Sequence, residues 1–510
     1  MKRVLSVLLV MLMLTGMLTA CSGGQTENTP TEEETTLAEE VPQDNSQNVK
    51  SEGLILPYSA ADSLNPYKAE SLMNENIIRL LYDGLFRLDE GYNPVKVLAE
   101  ECVNEKGYLT VTLSDKAVFS DGKAVTASDV VYSFNRAKES AYYSPVLENL
   151  STATAIDGDT VRFKLEEKDI YAENCLTFPI IRYGQGDEAN PLGTGRYVYS
   201  SGSLKYNKNH ISGEKATIKT VELYDIKDNT GDASALQIGN ISFMYSDLSD
   251  CKVERITAIT RTVELNNLVF LGMNANKGSL LSDGNLRKII AYAIDKQDIA
   301  ENAFQGYARV AEAPFNPAWS VMKETEVKTV TYSPLELTQQ LDKNGYVYAN
   351  DTDTVRKKNG KALKLRLLVN KNNDFRISTA EFIRTKLKAI GIEAVIDKVS
   401  GKELRKAIRK GKFDLYVGEI KLSENMSLSG FFSDSSVTGT GKNAACIDAY
   451  NEMISGKTDI ADFINAFNED MPFVPLCYRL GYMAVSNEFE DNIKANPNDV
   501  FENIYQWKFR

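Results

Sequence analysis

The 510 residues hold one histidine, two tryptophans and six cysteines. A lone histidine, His210, excludes His-x-x-x-His zinc sites and His-rich nickel sites made by this chain alone. It lies in the polar stretch "YNKNHISG", which reads as an exposed loop. No Gly-x-Ser-x-Gly elbow accompanies it, so the usual nucleophile turn of a hydrolase is missing. The cysteines are widely spaced and form no Cys-x-x-Cys. Five of them (Cys102, Cys175, Cys251, Cys446, Cys477) follow Cys21, an odd number that fits free thiols better than a disulfide framework. After the first 21 residues no run of about 18 apolar residues occurs, so nothing else reads as a membrane span. The net charge of -12 gives no basic footprint for nucleic acid.

Two stretches imitate nucleotide-binding motifs and fail on detail. "VTGTGKNAA" (437–445) has Ser436 where a phosphate loop needs its first glycine, and Asn443 where Ser or Thr must meet magnesium. "GTGRY" (193–197) lacks the third glycine of a dinucleotide fingerprint. No pair of carboxylates carries a catalytic spacing. The expectation is a binder, with no catalytic residue, no metal and no cofactor.

What is present begins with "MKRVLSVLLVMLMLTGMLTAC". Lys2 and Arg3 precede an apolar run of about 15 residues, the layout of a secretory signal. The run closes on Leu18-Thr19-Ala20-Cys21, which resembles a bacterial lipobox, in which the cysteine is acylated after cleavage. Residues 22–50 carry seven acids against one base, Lys50, and no aromatic. Such a segment cannot bury enough apolar surface to offset its ordering entropy, and reads as a disordered acidic tether.

The remainder, 43% apolar and 25% charged over the whole chain, has ordinary globular composition. Its patterns are mixed α/β. "LTVTL" (109–113) alternates as a strand does. In "FSDGKAVTASDVVYSFNRA" (119–137), Asp121-Gly122 marks a turn and Thr126 with Asp129 a capping box. Val130, Val131, Phe134 and Ala137 then fall on one helical face, with Phe119, Val130 and Phe134 expected in the core. Residues 266–274 form a short apolar strand. Residues 283–304 read as helix, break and helix, with Asp295 and Asp298 suited to cap the second. A strand at 363–369 and a helix over 378–391 follow. Ser378 and Glu381 open that helix as a capping box, Ile383, Leu387 and Ile390 share its inner face, and Gly391 stops it. Strands at 392–396 and 413–420 complete a parallel unit, whose ligands bind at the carboxyl ends of the strands.

Several motifs in order resemble the family 5 extracellular solute-binding proteins, the peptide- and nickel-binding receptors of ABC importers. They are "SLNP" (63–66), "YDGLFRLD" (82–89), the 119–134 stretch, "NPLGTGRYVY" (190–199), "RKIIAYAIDKQDIA" (287–300), "YSPLELTQQLDKNGY" (332–346), "AEFIRTKLKAIGIEAVI" (380–396) and "DMPFVPLCY" (470–478). The resemblance runs from about residue 52 to the end. It implies a two-lobe periplasmic-binding-protein-like α/β fold with mixed sheets and a hinge between the lobes. The first lobe would be 51–265 plus 482–510, with an extra subdomain at about 85–180, and the second lobe 266–481. Within it the 119–137 stretch is scaffold.

The function implied is capture of peptides in an interlobe cleft and delivery to a membrane permease powered by a separate ATPase. The chain would be a monomer, held outside the cytoplasm on the bacterial membrane by acylated Cys21. Alternatives are the same fold with a metal chelate, sugar or modified amino acid as ligand, or a ligand-sensing or enzymatic surface protein. Where the family usually has Gly-Trp followed by an acid, this chain reads Gly418-Glu419-Ile420, then "KLSENMS". Glu419 or Glu424 is the candidate anchor for a peptide's amine. Arg196 replaces a frequent Pro. Tyr58, Asn274, Tyr478 and Arg479 are further candidate cleft residues, Arg479 as a bidentate partner for a ligand carboxylate.

Overall fold

The computed structural model describes residues 53–227, 231–327, 332–432, 438–440, 443–494, 496 and 498–510. The expected signal, Cys21 and the acidic tether lie outside the described residues, as do Val437, Gly441 and Lys442 of the phosphate-loop imitation. No helix among the described residues is long and apolar enough to cross a membrane.

Three hydrophobic cores organise the chain. The first lobe is built on a four-stranded sheet in the order Leu54–Tyr58, Thr220–Asp225, Ser203–Tyr206, Tyr197–Ser200. Leu54, Ile77, Tyr197, Val221, Phe501 and Trp507 fill its core. A second core runs from Leu85 to Ile180 around the antiparallel sheet Ala99–Glu105, Tyr108–Leu113, Thr160–Leu165, Leu150–Ala155. The helix Ala127–Glu139 covers this sheet. Its capping box forms as the sequence requires: Thr126 accepts from the Asp129 backbone, and Asp129 accepts from the Thr126 N–H at 2.9 Å. Phe119, Val130 and Phe134 are buried, and Phe134 meets Phe163 edge-on. The density of signals in this stretch therefore reflects packing.

The second lobe holds the mixed sheet. Its order is Phe243–Ser246, Phe473–Val485, Ile259–Met273, Leu415–Lys421, Lys364–Asn370, Glu393–Val399, and Ala308–Val310 also pairs with Phe473–Val485. Lys364–Asn370 runs parallel to both of its neighbours, as the strand–helix–strand pattern requires. The helix between them starts earlier than its apparent capping box. It spans Asp374–Ala389 with Asn373 as N-cap, because Asn373 accepts from the Arg376 backbone and Phe375 adds a buried anchor before Ser378. Gly391 ends it at φ +84°. Asp295 caps the following turn by accepting from the Asp298 N–H, while Asp298 lies inside that turn. All five described cysteines are free.

The strand expected at 266–274 is the end of a much longer one. Ile259–Met273 and Phe473–Val485 pair along most of their length and pass between cores. Val263 and Met483 pack in the first-lobe core, while Leu268 and Leu476 pack in the second. The lobe boundaries expected at 265/266 and 481/482 thus fall inside continuous strands. The ladder between the two is interrupted between Glu264 and Leu268, and again between Val269 and Phe270. Such irregularities bend a strand and raise its local twist.

The Gly-Thr-Gly element has a steric role. A Cβ on Gly193 would lie 2.3 Å from the Leu81 carbonyl oxygen, and one on Gly195 2.3 Å from the Leu81 carbonyl carbon. The 193–195 backbone lies directly on the end of the Leu72–Leu81 helix, where the Gly195 N–H donates to Leu81 O. No side chain fits between them. Gly195→Ala should lower folding stability by about 1–3 kcal/mol, the usual cost of overpacking. A guanidinium unfolding series would register this as a lower midpoint at unchanged slope.

Candidate functional site

The Leu72–Leu81 helix fixes one wall of a cavity of about 790 Å³. Ser71 caps the helix by accepting from the Asn74 N–H, and Met73, Ile77 and Leu80 bury its inner face. Glu75 and Arg79, one turn apart, are left facing the cavity with Tyr82 and Asp83 beyond the helix end. The extra subdomain adds Tyr142 and Tyr143, stacked edge-on at 4.8 Å. Leu265, Asn266 and Asn267 line the cavity where the long ladder is interrupted. Lys421, the last residue of the Leu415–Lys421 strand, and Glu424, three residues beyond it, complete the lining. The site therefore lies where the chain crosses between lobes.

One end of this cavity is rich in charge. Lys421 Nζ donates to Tyr142 Oη at 3.2 Å. Tyr142 raises its pKa most, burial opposes, and Glu424 adds to the rise, so the ammonium stays charged. Burial lifts the Glu75 carboxyl above its ordinary value against the pull of Arg79 and Lys421. Glu424 Oε2 is buried with no hydrogen-bond partner among the described residues. Its backbone is nevertheless fixed: Asn174 donates to the Glu424 carbonyl at 3.2 Å and Asn425 to Asp169 at 2.7 Å, tying the second lobe to the subdomain.

The other end contains His210. Far from an exposed loop, its side chain is 7% exposed, with Nε2 3.3 Å from Asp83 Oδ2 though not aligned for a hydrogen bond. Its Nδ1 meets Ser212 Oγ at 2.8 Å and Tyr505 Oη at 3.0 Å. Of the polar neighbours that suggested exposure only Ser212 touches the ring, and the residues that enclose it, Asp83 and Tyr505, come from elsewhere in the chain. Burial pushes the Asp83 carboxyl up, but His210 and Arg196 outweigh it and hold the value below the ordinary range. Arg196, buried, donates to Asp499 at 2.6 Å and to the Phe501 carbonyl at 2.6 Å.

The residues singled out from sequence divide differently. Glu419 and Arg479 are brought together, away from the cavity lining. Arg479 Nε donates to Glu419 Oε1 at 3.1 Å, Arg376 Nη2 to Oε2 at 2.8 Å and Asn267 to Oε1 at 2.8 Å. Burial raises the Glu419 pKa, but Arg479 and then Arg376 overcome it, so the carboxyl lies below its usual value. Both of its oxygens are occupied by the protein. Arg479 also approaches Asp247, a cavity residue, at 3.8 Å.

Tyr478 is fully buried and donates to the Pro314 carbonyl at 2.9 Å. Asn274 donates to the carbonyls of Gly411 and Phe413, at the start of the Leu415–Lys421 strand and away from the cavity. Tyr58 packs against the first-lobe core and does not line the cavity. Of the sequence candidates, Glu424 alone contributes to the cavity wall. Glu75, Arg79, Tyr142, Tyr143 and Lys421 were not singled out. The i,i+4 spacing of Glu75 and Arg79 was visible, but such pairs are common on solvated helices.

A cleft with tyrosines and charges of both signs, set where two lobes meet, defines a class of protein: a two-lobe solute receptor. The sequence pattern of the bacterial extracellular solute-binding proteins, family 5 (middle region), matches residues 93–442, and the chain belongs to that family. The family consists of substrate-binding transport receptors and not of enzymes. The chain is 25% identical to the oligopeptide-binding protein AppA of Bacillus subtilis, over 99% of this chain and 98% of AppA. It is 24% identical to the glutathione-binding protein GsiB of Shigella flexneri, over 56% of this chain and 60% of GsiB. Its fold is similar to the crystal structure of a nickel ABC transporter protein from Bacillus halodurans, with TM-score 0.73 and 19% identity, covering 89% of this chain and 99% of that one.

Removing the Glu419 charge leaves Arg376 and Arg479 with no ionic partner on that strand. Glu419→Gln should cost about 3–5 kcal/mol of stability at neutral pH, as breaking a buried pair does. Because the folded-state pKa of Glu419 is depressed, its contribution is complete above the unfolded value. The contribution fades as the pH falls through the depressed one. The stability gap between the native chain and Glu419→Gln, measured by denaturant titration, should therefore narrow below about pH 4.

Proposed function

We propose that the protein is a membrane-anchored extracytoplasmic receptor that captures peptides in this cleft and passes them to an ABC permease driven by a separate ATPase. The observation that carries the reading is the gathering, at one end of the cavity, of Glu424, whose Oε2 has no hydrogen-bond partner among the described residues, with the cations Arg79 and Lys421. A zwitterionic ligand offers an amine to the first and a carboxylate to the others. A bare anion or a bare cation satisfies only half of these groups. The tyrosines supply apolar surface with polar tips, and the cavity volume suits a short peptide or small solute. Likeness to AppA, whose name records oligopeptide binding, supports the same reading.

Glu424 takes the role of amine anchor in preference to Glu419, because Glu419 is already neutralised by two arginines. The interrupted ladder at 264–268 serves as the hinge. Closure about it excludes water and strengthens the polar contacts to the ligand. Cys21 carries the acyl chain, and the chain works as a monomer.

Native mass spectrometry of residues 22–510, purified without added ligand, tests the ligand class. Bound masses that fragment into peptides support the reading, and a single non-peptide mass overturns it. Glu424→Gln should weaken peptide binding at least about tenfold with stability nearly unchanged. Glu419→Gln should lose stability first. Cys21→Ser should move the protein from the membrane fraction to the soluble fraction; retention at the membrane would refute acylation at that site.

A further inference from the structure

A strongly basic surface lies on the second lobe, apart from the cleft. The helix Gly401–Arg409 opens with a complete capping box, Ser400 with Glu403. Leu404 is buried, and Ala407 and Ile408 pack on the second-lobe core. Lys402, Arg405, Lys406 and Arg409 follow at i, i+3, i+4 and i+7, which places them on the opposite, outward face. Lys410 and Lys412 extend the row past the helix end. All six are exposed, and none has an ion pair among the described residues.

Few acids lie nearby. Glu403 accepts from Ser400 and feels the charge of Lys406, one carboxylate among six cations. Asp397 takes the guanidinium of Arg366, and Asp414 accepts the Arg366 N–H at 2.8 Å. Lys410 and Lys412 also line a shallow depression with Lys277. These cations precede the Leu415–Lys421 strand, whose other end reaches the ligand cavity. Seven residues of strand separate the two, about 20 Å.

A row of unpaired cations on a chain of net charge -12 is an isolated feature, not a spill-over of overall charge. We propose that this face binds the anionic headgroups of a lipid surface, holding the second lobe against the membrane. The helix hides its apolar side in its own core, so the contact is electrostatic and without insertion. Each cation near an anionic surface multiplies partitioning by about fivefold, and the attraction decays within a Debye length. The proposal rests on the anchored reading, in which the body stays beside a membrane.

The test uses residues 22–510 without an acyl group, so it does not depend on the anchor itself. Co-sedimentation would compare vesicles of pure phosphatidylcholine with vesicles of three parts phosphatidylcholine to one part phosphatidylglycerol. Binding to the anionic vesicles should be at least tenfold stronger and should fall steeply with added salt. The combined change Lys402→Gln, Arg405→Gln, Lys406→Gln and Arg409→Gln should abolish that preference. The same charge removed as Lys116→Gln, Lys164→Gln, Lys168→Gln and Lys208→Gln should leave it intact, and peptide binding should be normal in both variants. Equal binding to both vesicle types overturns the proposal, as does an unchanged preference in the first variant. Binding of soluble polyphosphate without binding of anionic vesicles overturns it too, and would reassign the face to a wall or soluble polyanion. Failure of the Cys21 experiment with success here would refute the anchor and leave the basic face standing.

Discussion

The Ile259–Met273 and Phe473–Val485 strands belong to two hydrophobic cores at once. Val263 and Met483 are fixed by the first lobe, Leu268 and Leu476 by the second. Neither lobe can complete its core without the shared pair, and the pair cannot stay straight between them. The ladder breaks between Glu264 and Leu268, the point at which the two packings meet. That break sets Leu265–Asn267 into the cavity wall. Cleft and crossing are thus one feature of the topology, and the buried Glu419 cluster lies beside it. Asn267 of the crossing and Arg479 of the second strand both bind Glu419.

Local structure was legible wherever the signal was local. The Thr126–Asp129 box and the left-handed stop at Gly391 follow from residues within a turn of each other. The family was legible because many such motifs occur in order. Reading failed where an alternative local signal outcompeted the apparent one. Asn373 caps the 374–389 helix five residues before Ser378, since an Asn with a buried Phe two positions on is as good a start. It also failed where a strand exceeded its apolar run. Residues 259–265 are mixed in polarity because they face a different environment from 268–273.

The candidate site was less legible, for a physical reason. A carboxylate's availability depends on what faces it across the fold. Glu419 and Glu424 differ by five positions, yet one is enclosed by Arg376 and Arg479 and the other is left with a bare oxygen. No spacing in the sequence brings residue 376 beside 479. His210 shows the same limit in reverse: a loop of polar residues became a buried corner because Asp83 and Tyr505, distant in sequence, close over it.

The shared strands also decide how the molecule bears load. Their hydrogen bonds lie across the strand direction. Force drawing the lobes apart along the strands strains many of those bonds together, in shear. Force splaying the strands sideways opens them singly, like a zipper. The same pair of strands is therefore compliant to bending at its interruption and stiff to stretching. Load along these strands is thus borne without tearing one lobe from the other, while bending is taken up at the interruption.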